Sequence, residues 1–167
     1  DTISIQEPPV LTANFSVTHI LCKDDSTGQI TTNIGGGNDP YSFAWTNGSV
    51  SSDLEFLTAG LYEILITDDN NCTRIDQVVV EEPELELVSS YQIENVTCYN
   101  GENGSIDANI QGGTSPYNYS WSSQDTTANV EGLSGGLYTL VITDENACLL
   151  IDTITVIQPD PIVLNEV

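Results

Sequence analysis

Displaced by 76 residues, the distance from Cys22 to Cys98, the chain superimposes on itself without a gap from Cys22 to Pro83. Gly28 falls on Gly104, Ile30 on Ile106, Gly36-Gly37 on Gly112-Gly113, Pro40-Tyr41 on Pro116-Tyr117 and Trp45 on Trp121. The register runs on through Leu57 and Leu133, Gly60-Leu61-Tyr62 and Gly136-Leu137-Tyr138, Asp68 and Asp144, and Cys72 and Cys148. Self-similarity at a fixed period marks a chain assembled from one small unit. The ends keep the period: Asp1 to Pro8 matches Asp76 to Pro83 and Asp152 to Pro159, and Pro161-Ile162-Val163-Leu164 restarts the segment that begins near Glu84-Leu85. The expected organisation is the last strand of a preceding repeat at 1–8, complete repeats at 9–83 and 84–159, and the first strand of a following repeat at 160–167. Such a chain is a window on a tandem array.

Inside one unit, period-two alternation recurs and helical periodicity is absent. Tyr41-Ser42-Phe43-Ala44-Trp45 and Tyr117-Asn118-Tyr119-Ser120-Trp121 put aromatics on one face and small residues on the other. Ile30, Thr32 and Ile34 form an inward row, as do Ile106, Ala108 and Ile110, and the rows Tyr62-Ile64-Ile66 and Tyr138-Leu140-Ile142 follow. Turn residues separate them at 35–40, Asn47-Gly48, 58–60 and 68–71. Six or seven short strands in about 76 residues describe a small β-sandwich. The fold class expected is all-β: tandem immunoglobulin-like sandwiches arranged end to end. Trp45 and Leu57-x-x-Gly60-Leu61-Tyr62 resemble strand C and the tyrosine corner of that fold, and the aromatics read as core.

Charge and chemistry exclude much. Twenty-five Asp plus Glu face 2 Lys plus Arg, a net charge of −23, so phosphate neutralisation has no basic cluster to work with and nucleic acid is not a partner. An anionic membrane surface is repelled, and no apolar run is long enough to insert into a bilayer. Yet 39% of residues are hydrophobic and 16% charged, which suits a folded chain rather than an acidic tail. His19 is the single imidazole, so a Ser or Cys nucleophile lacks the base it needs. Four widely spaced cysteines with one histidine do not make a zinc finger. No catalytic residues are expected, and the chain reads as non-enzymatic.

The ordered pattern Cys, Asn/Asp-Gly, Ile, Gly-Gly, Pro-Tyr-x-x-x-Trp, Leu-x-x-Gly-x-Tyr, Thr-Asp-x-x-x-Cys and a closing Pro resembles the SprB repeat, found in giant cell-surface adhesins of gliding Bacteroidetes. The resemblance covers both units and both flanking segments; Lys23-Asp24-Asp25 departs from the Asn-Gly type kept at Asn100-Gly101. It implies export by type IX secretion, an extracellular location on the bacterial cell surface, and a role in attachment and gliding motility. The partners it implies are neighbouring repeats of the same chain and external surfaces or polysaccharides. The competing reading is a carbohydrate-binding module of a secreted multidomain protein.

In an extracellular setting, two cysteines per unit suggest disulfides. Simple strand alternation pairs Cys22 with Cys72 and Cys98 with Cys148, each loop worth roughly 4 kcal/mol in the chain-entropy model. A strict immunoglobulin order puts these cysteines at opposite poles instead, leaving Cys22 to bridge to Cys148; free buried thiols are the third option. Carboxylates group at Asp24-Asp25 and Asp68-Asp69 in the first unit, and at Glu102 and Asp144-Glu145 in the second. Oxygen-rich loops of this sort can hold Ca²⁺, although no EF-hand pattern is present and plain solvated turns are the favoured reading; no other cofactor is expected. Thr2, Ser26, Thr126 and Thr153, each after Asp, resemble O-glycosylation acceptors of the same bacterial group.

Overall fold

The computed structural model describes residues 7–163. The flanking strands expected at 1–8 and 160–167, and Thr2, lie largely outside that range. The chain divides between Pro83 and Glu84 into two compact units. The first contains β1 (Thr12–Thr18), β2 (Gly28–Gly35), β3 (Ser42–Trp45), β4 (Leu54–Leu57), β5 (Gly60–Thr67) and β6 (Thr73–Val80). The second contains β7 (Val88–Glu94), β8 (Gly104–Gln111), β9 (Asn118–Trp121), β10 (Asn129–Leu133), β11 (Gly136–Thr143) and β12 (Leu149–Val156).

Each unit is a pair of three-stranded antiparallel sheets. In the first the orders are β1-β2-β4 and β3-β5-β6; in the second they are β7-β8-β10 and β9-β11-β12. Alternation builds them. On β5, Ile64 and Ile66 are fully buried while Leu61 and Leu65 face out. Ile30 of β2 and Leu54 and Leu57 of β4 meet Trp45, Ile64, Ile66, Val78 and Val80 of the opposing sheet in one core. Ile106, Val130 and Leu133 meet Trp121, Leu140, Ile142, Ile154 and Val156 in the other. Strands β1, β2 and β4 take the places of A, B and E of an immunoglobulin domain, and β3, β5 and β6 those of C, F and G.

The buried aromatics carry their polar atoms to backbone partners, as an apolar interior demands. Trp45 Nε1 donates to the Ser51 carbonyl and Trp121 Nε1 to that of Thr127, both at 2.9 Å. Phe15 meets the Trp45 ring edge to face, with centroids 6.3 Å apart. Tyr62 and Tyr138, at the starts of β5 and β11, donate to the carbonyls of Thr58 and Ser134 four residues upstream, each at 2.9 Å. This is the tyrosine corner that their sequence context suggested.

Strand order assigns the loops to poles. The β1–β2 loop of the first unit lies beside the end of β6, where Ile20 N–H donates to the Glu81 carbonyl at 2.9 Å. The β5–β6 loop lies at the other pole beside the β2–β3 loop, where Asp69 N–H donates to the Asn38 carbonyl at 3.0 Å. The second unit repeats both arrangements through Val96 with Ile157 and Glu145 with Thr114.

At the second of these poles the glycine pairs are required. Gly36 and Gly112 adopt φ of 65° and 70°, and a Cβ would stand 2.0 Å from the Val10 carbonyl oxygen or 1.9 Å from that of Glu86. Gly48 also has positive φ, at 85°, but a Cβ there meets nothing within 4 Å. Chemical denaturation should separate the two effects. Gly48→Ala should cost about 1 kcal/mol, the backbone strain alone. Gly36→Ala should cost at least about 2 kcal/mol more, because the Val10 backbone must also be displaced. Equal costs would contradict the close approach.

Candidate functional site

The side chains singled out for chemistry fall at the poles, and the strand order separates them. Asp24-Asp25 lie in the β1–β2 loop and Asp68-Asp69 in the β5–β6 loop, at opposite ends of strands of 7 to 8 residues, a span of about 23 Å. Glu102 and Asp144-Glu145 are divided in the same way. The two acidic loops of a unit therefore do not share an ion, which corrects the expectation that they are near each other. Among the described residues, no group of three or more His, Cys, Asp or Glu side chains is placed to hold a metal ion.

What Asp68 and Asp144 do is visible in their hydrogen bonds. Both are buried, at 4% and 2% exposure. Asp68 Oδ1 accepts from Cys72 N–H at 2.8 Å and Oδ2 from Asn38 N–H at 3.1 Å. Asp144 accepts from Cys148 N–H and Asn146 N–H at 2.9 Å and from Thr114 N–H at 2.8 Å. Each carboxylate ties the β2–β3 (or β8–β9) loop to the β5–β6 (or β11–β12) loop by satisfying backbone donors that strand pairing leaves over. Burial pushes the Asp68 carboxyl up, but the N–H groups of Cys72, Asn38 and Asn70 outweigh it and hold its pKa below the ordinary value.

The cysteines follow the same geometry. Cys22 sits at the pole of the β6 end and Cys72 at the pole of Asn38, and Cys98 and Cys148 are divided likewise. A disulfide needs Cα atoms within about 7 Å, so the intra-repeat pairs Cys22–Cys72 and Cys98–Cys148 do not form. Cys72 and Cys98 are exposed free thiols, whereas Cys22 and Cys148 are disulfide-bonded. Simple alternation failed because the chain crosses between sheets from β2 to β3, back at β4, and over again at β5.

The remaining polar contacts are solved twice with different residues. His19 Nδ1 accepts from Glu81 N–H at 3.0 Å, and Asn95 Oδ1 accepts from Ile157 N–H at 2.8 Å at the same place in the second unit. The single imidazole is thus engaged in holding a loop. Lys23 pairs with Glu82, whose other oxygen accepts from Asp24 N–H at 2.8 Å; the ammonium of Lys23 and that N–H hold the Glu82 carboxyl below its usual pKa. In the second unit Gln158 Oε1 accepts from Asn100 N–H at 3.2 Å with no charge involved. Asp76 is held by Arg74, whose Nη2 donates to Oδ1 at 2.8 Å. Its counterpart Asp152 stands beside Leu150 and takes hydroxyl donors instead, from Ser89 and from Tyr91 at 2.7 Å, linking the two sheets of that unit at their edge. Sequence reading missed these pairs, although the joint exchange of Ala13, Phe15 and Arg74 for Ser89, Tyr91 and Leu150 was present in the repeat alignment.

Ser26, Thr126 and Thr153 are exposed, the first two in loops and the third on the outer side of β12. Concavities are shallow. One of about 270 Å³ is lined by Pro8, Pro9, Val10, Leu11, Asp68, Cys72 and Thr73; the Asp68 carboxylate there accepts from the Cys72 side chain as well as from its N–H. No described helix is long and apolar enough to cross a membrane.

The SprB repeat model matches residues 14–50 and again residues 90–126. The family model thus matches twice, at corresponding places in the two units. No curated relative matches it. Among solved structures it resembles the N-terminal eight immunoglobulin domains of Down syndrome cell adhesion molecule, at 9% identity and a TM-score of 0.46, over 92% of this chain and 25% of that one. Sidekick-1 immunoglobulin domains 1–4 give 10% identity and a TM-score of 0.40, over 95% and 51%. Domains 4–9 of surface layer protein SbsC give 13% and 0.35, over 95% and 32%. The chain spans a quarter to a half of these structures, and likeness at this level adds nothing to what the strand order of each repeat shows.

Two titrations test the polar contacts. Burial, reinforced by the Asp152 carboxylate, pushes Tyr91 up to about 12. The folded state therefore holds this proton more tightly than the unfolded chain, and that contribution to stability is lost as pH rises from about 10 to about 12. Spectrophotometric titration of the phenols should show Tyr91 ionising late, with the late fraction reduced in Tyr91→Phe; an unchanged profile would contradict the contact. For Asp68 the sign is opposite. Its contribution is present above the unfolded value near 3.8 and is lost as pH falls through the lower folded pKa. Asp68→Asn should consequently lower the melting temperature at neutral pH and flatten its dependence on pH below the unfolded value near 3.8.

Proposed function

We propose that these repeats are non-catalytic structural and adhesive units of a cell-surface adhesin that serves attachment and gliding motility. The observation that carries this reading is the recurrence of the SprB match at the same place in both units. The chemistry is consistent with it. Asp68, Asp144, Asp152 and His19, the groups an enzyme would use, are engaged in holding loops and sheet edges. The disulfide-bonded state of Cys22 and Cys148 suits an oxidising exterior. Export by type IX secretion belongs to the same proposal, as does O-glycosylation at the loop residues Ser26 and Thr126.

A carbohydrate-binding module is the second reading, and one residue favours it. Phe56 is 81% exposed at a φ of 56°, where the second repeat has Gly132 at 71°. A glycan array that returned one defined ligand, lost in Phe56→Ala, would support that reading against the adhesin.

Surface display is tested on the source cells. Latex beads coated with antibody raised against this chain should attach to intact, living cells and be carried along them. Labelling that requires permeabilised cells would contradict surface display, and beads that attach but never move would contradict the gliding role.

A further inference from the structure

In each repeat, the outer face of the second sheet is aliphatic and nearly uncharged. On β5 and β6 the outward positions pair Leu61 with Val79 and Leu65 with Ile75, and Ala44 of β3 lies beside Leu65. Ile75 is 62% exposed, Leu61 59% and Val79 49%. The second repeat keeps the feature at the same register, with Val141 opposite Ile151 and Leu149 opposite Thr143. Leu137, Leu149 and Ile151 are each more than 60% exposed. Threonine and serine fill most of the remaining outward positions. In a chain of 25 acidic residues, the first face carries one carboxylate, Glu63, which accepts from Gln77 Nε2 at 3.0 Å; the outward positions of β9, β11 and β12 carry none.

We propose that this face is a lateral contact surface for a second copy of the same chain. Copies carrying −23 each repel one another wherever their carboxylates meet. This face keeps carboxylates out of the contact itself, and a second copy presents the same flat aliphatic surface, as a two-fold contact requires. A polysaccharide finds no aromatic ring on it to stack against, and a charged macromolecule finds no cation to pair with. Area sets the strength. Two strands about 25 Å long and one of about 13 Å, spaced about 4.8 Å apart, offer roughly 300 Å² per repeat, under half of the roughly 800 Å² each partner contributes to a standard interface. The contact of one repeat is therefore weak, and association gains strength with the number of repeats that engage. It is separate from any adhesive contact with an external surface.

Sedimentation equilibrium on the 167-residue chain tests this. The chain should dimerise reversibly with a dissociation constant on the order of 0.1–1 mM, more tightly at about 0.5 M NaCl than at low salt because the general repulsion is screened. Ile75→Glu combined with Ile151→Glu, both at exposed positions, should weaken dimerisation at least ten-fold at high salt while circular dichroism stays unchanged. The same two charges placed on the outer face of the other sheet, as Thr31→Glu with Asn109→Glu, should have a smaller effect. A chain that stays monomeric to about 1 mM at both salts would overturn the proposal. So would equal weakening by the two pairs. Adsorption of a monomeric chain to alkyl-coated beads, lost in the Ile75→Glu, Ile151→Glu variant, would assign the face to an external apolar surface and likewise overturn it.

Discussion

Closing two three-stranded sheets over one core fixes where everything else in a repeat can be. The inner faces are consumed by Ile30, Trp45, Ile64, Ile66 and their counterparts Ile106, Trp121, Leu140 and Ile142, all buried. The four cysteines and the acidic pairs Asp24-Asp25, Asp68-Asp69 and Asp144-Glu145 are left to the loops. Because the chain crosses between sheets at β2–β3, β3–β4 and β4–β5, those loops sort to two poles about one strand length apart. A repeat of this size has little core to spare, and the orphan backbone donors at its poles must be paired without help from the sheets. Asp68 and Asp144 do that from buried positions, which explains why both repeats keep an aspartate there while its neighbour changes from Asp69 to Glu145.

Comparison of the two repeats separates what the fold needs from what it tolerates. A buried acceptor between the β5–β6 and β2–β3 loops stays an aspartate in both. An acceptor for the backbone after the last strand is needed too, but an imidazole at His19 and an amide at Asn95 serve equally. The carboxylate at Asp76 or Asp152 needs donors of some kind: a guanidinium from its own strand in one repeat, hydroxyls from the facing sheet edge in the other. Each of these polar groups is engaged in holding a loop or a sheet edge. The outward face of the second sheet, freed from both tasks, keeps its aliphatic residues at matching register.

Much of the fold was legible in the sequence because alternation and turn chemistry act locally. The inward rows at Ile30 and Ile34, Tyr62 to Ile66 and Tyr41 to Trp45 are inward in the structure, and the tyrosine corner forms at Tyr62 and Tyr138. The order in which strands join sheets is not a local property. The expectation that Cys22 meets Cys72, and that Asp24-Asp25 meets Asp68-Asp69, rested on strands turning back within one sheet, and the crossings defeat it. The capping role of Asp68 was hidden for a related reason. Its partners Asn38 and Cys72 contribute backbone N–H groups, which no sequence pattern displays.

The strand order makes one claim that peptide chemistry can test directly. Alkylation of the native, unreduced chain followed by proteolysis and mass spectrometry should find Cys72 and Cys98 modified, and Cys22 and Cys148 modified only after reduction. Disulfide-linked peptides joining Cys22 to Cys72 or Cys98 to Cys148 would mean that each repeat returns to the same pole, and would contradict the immunoglobulin-type crossing on which the account rests.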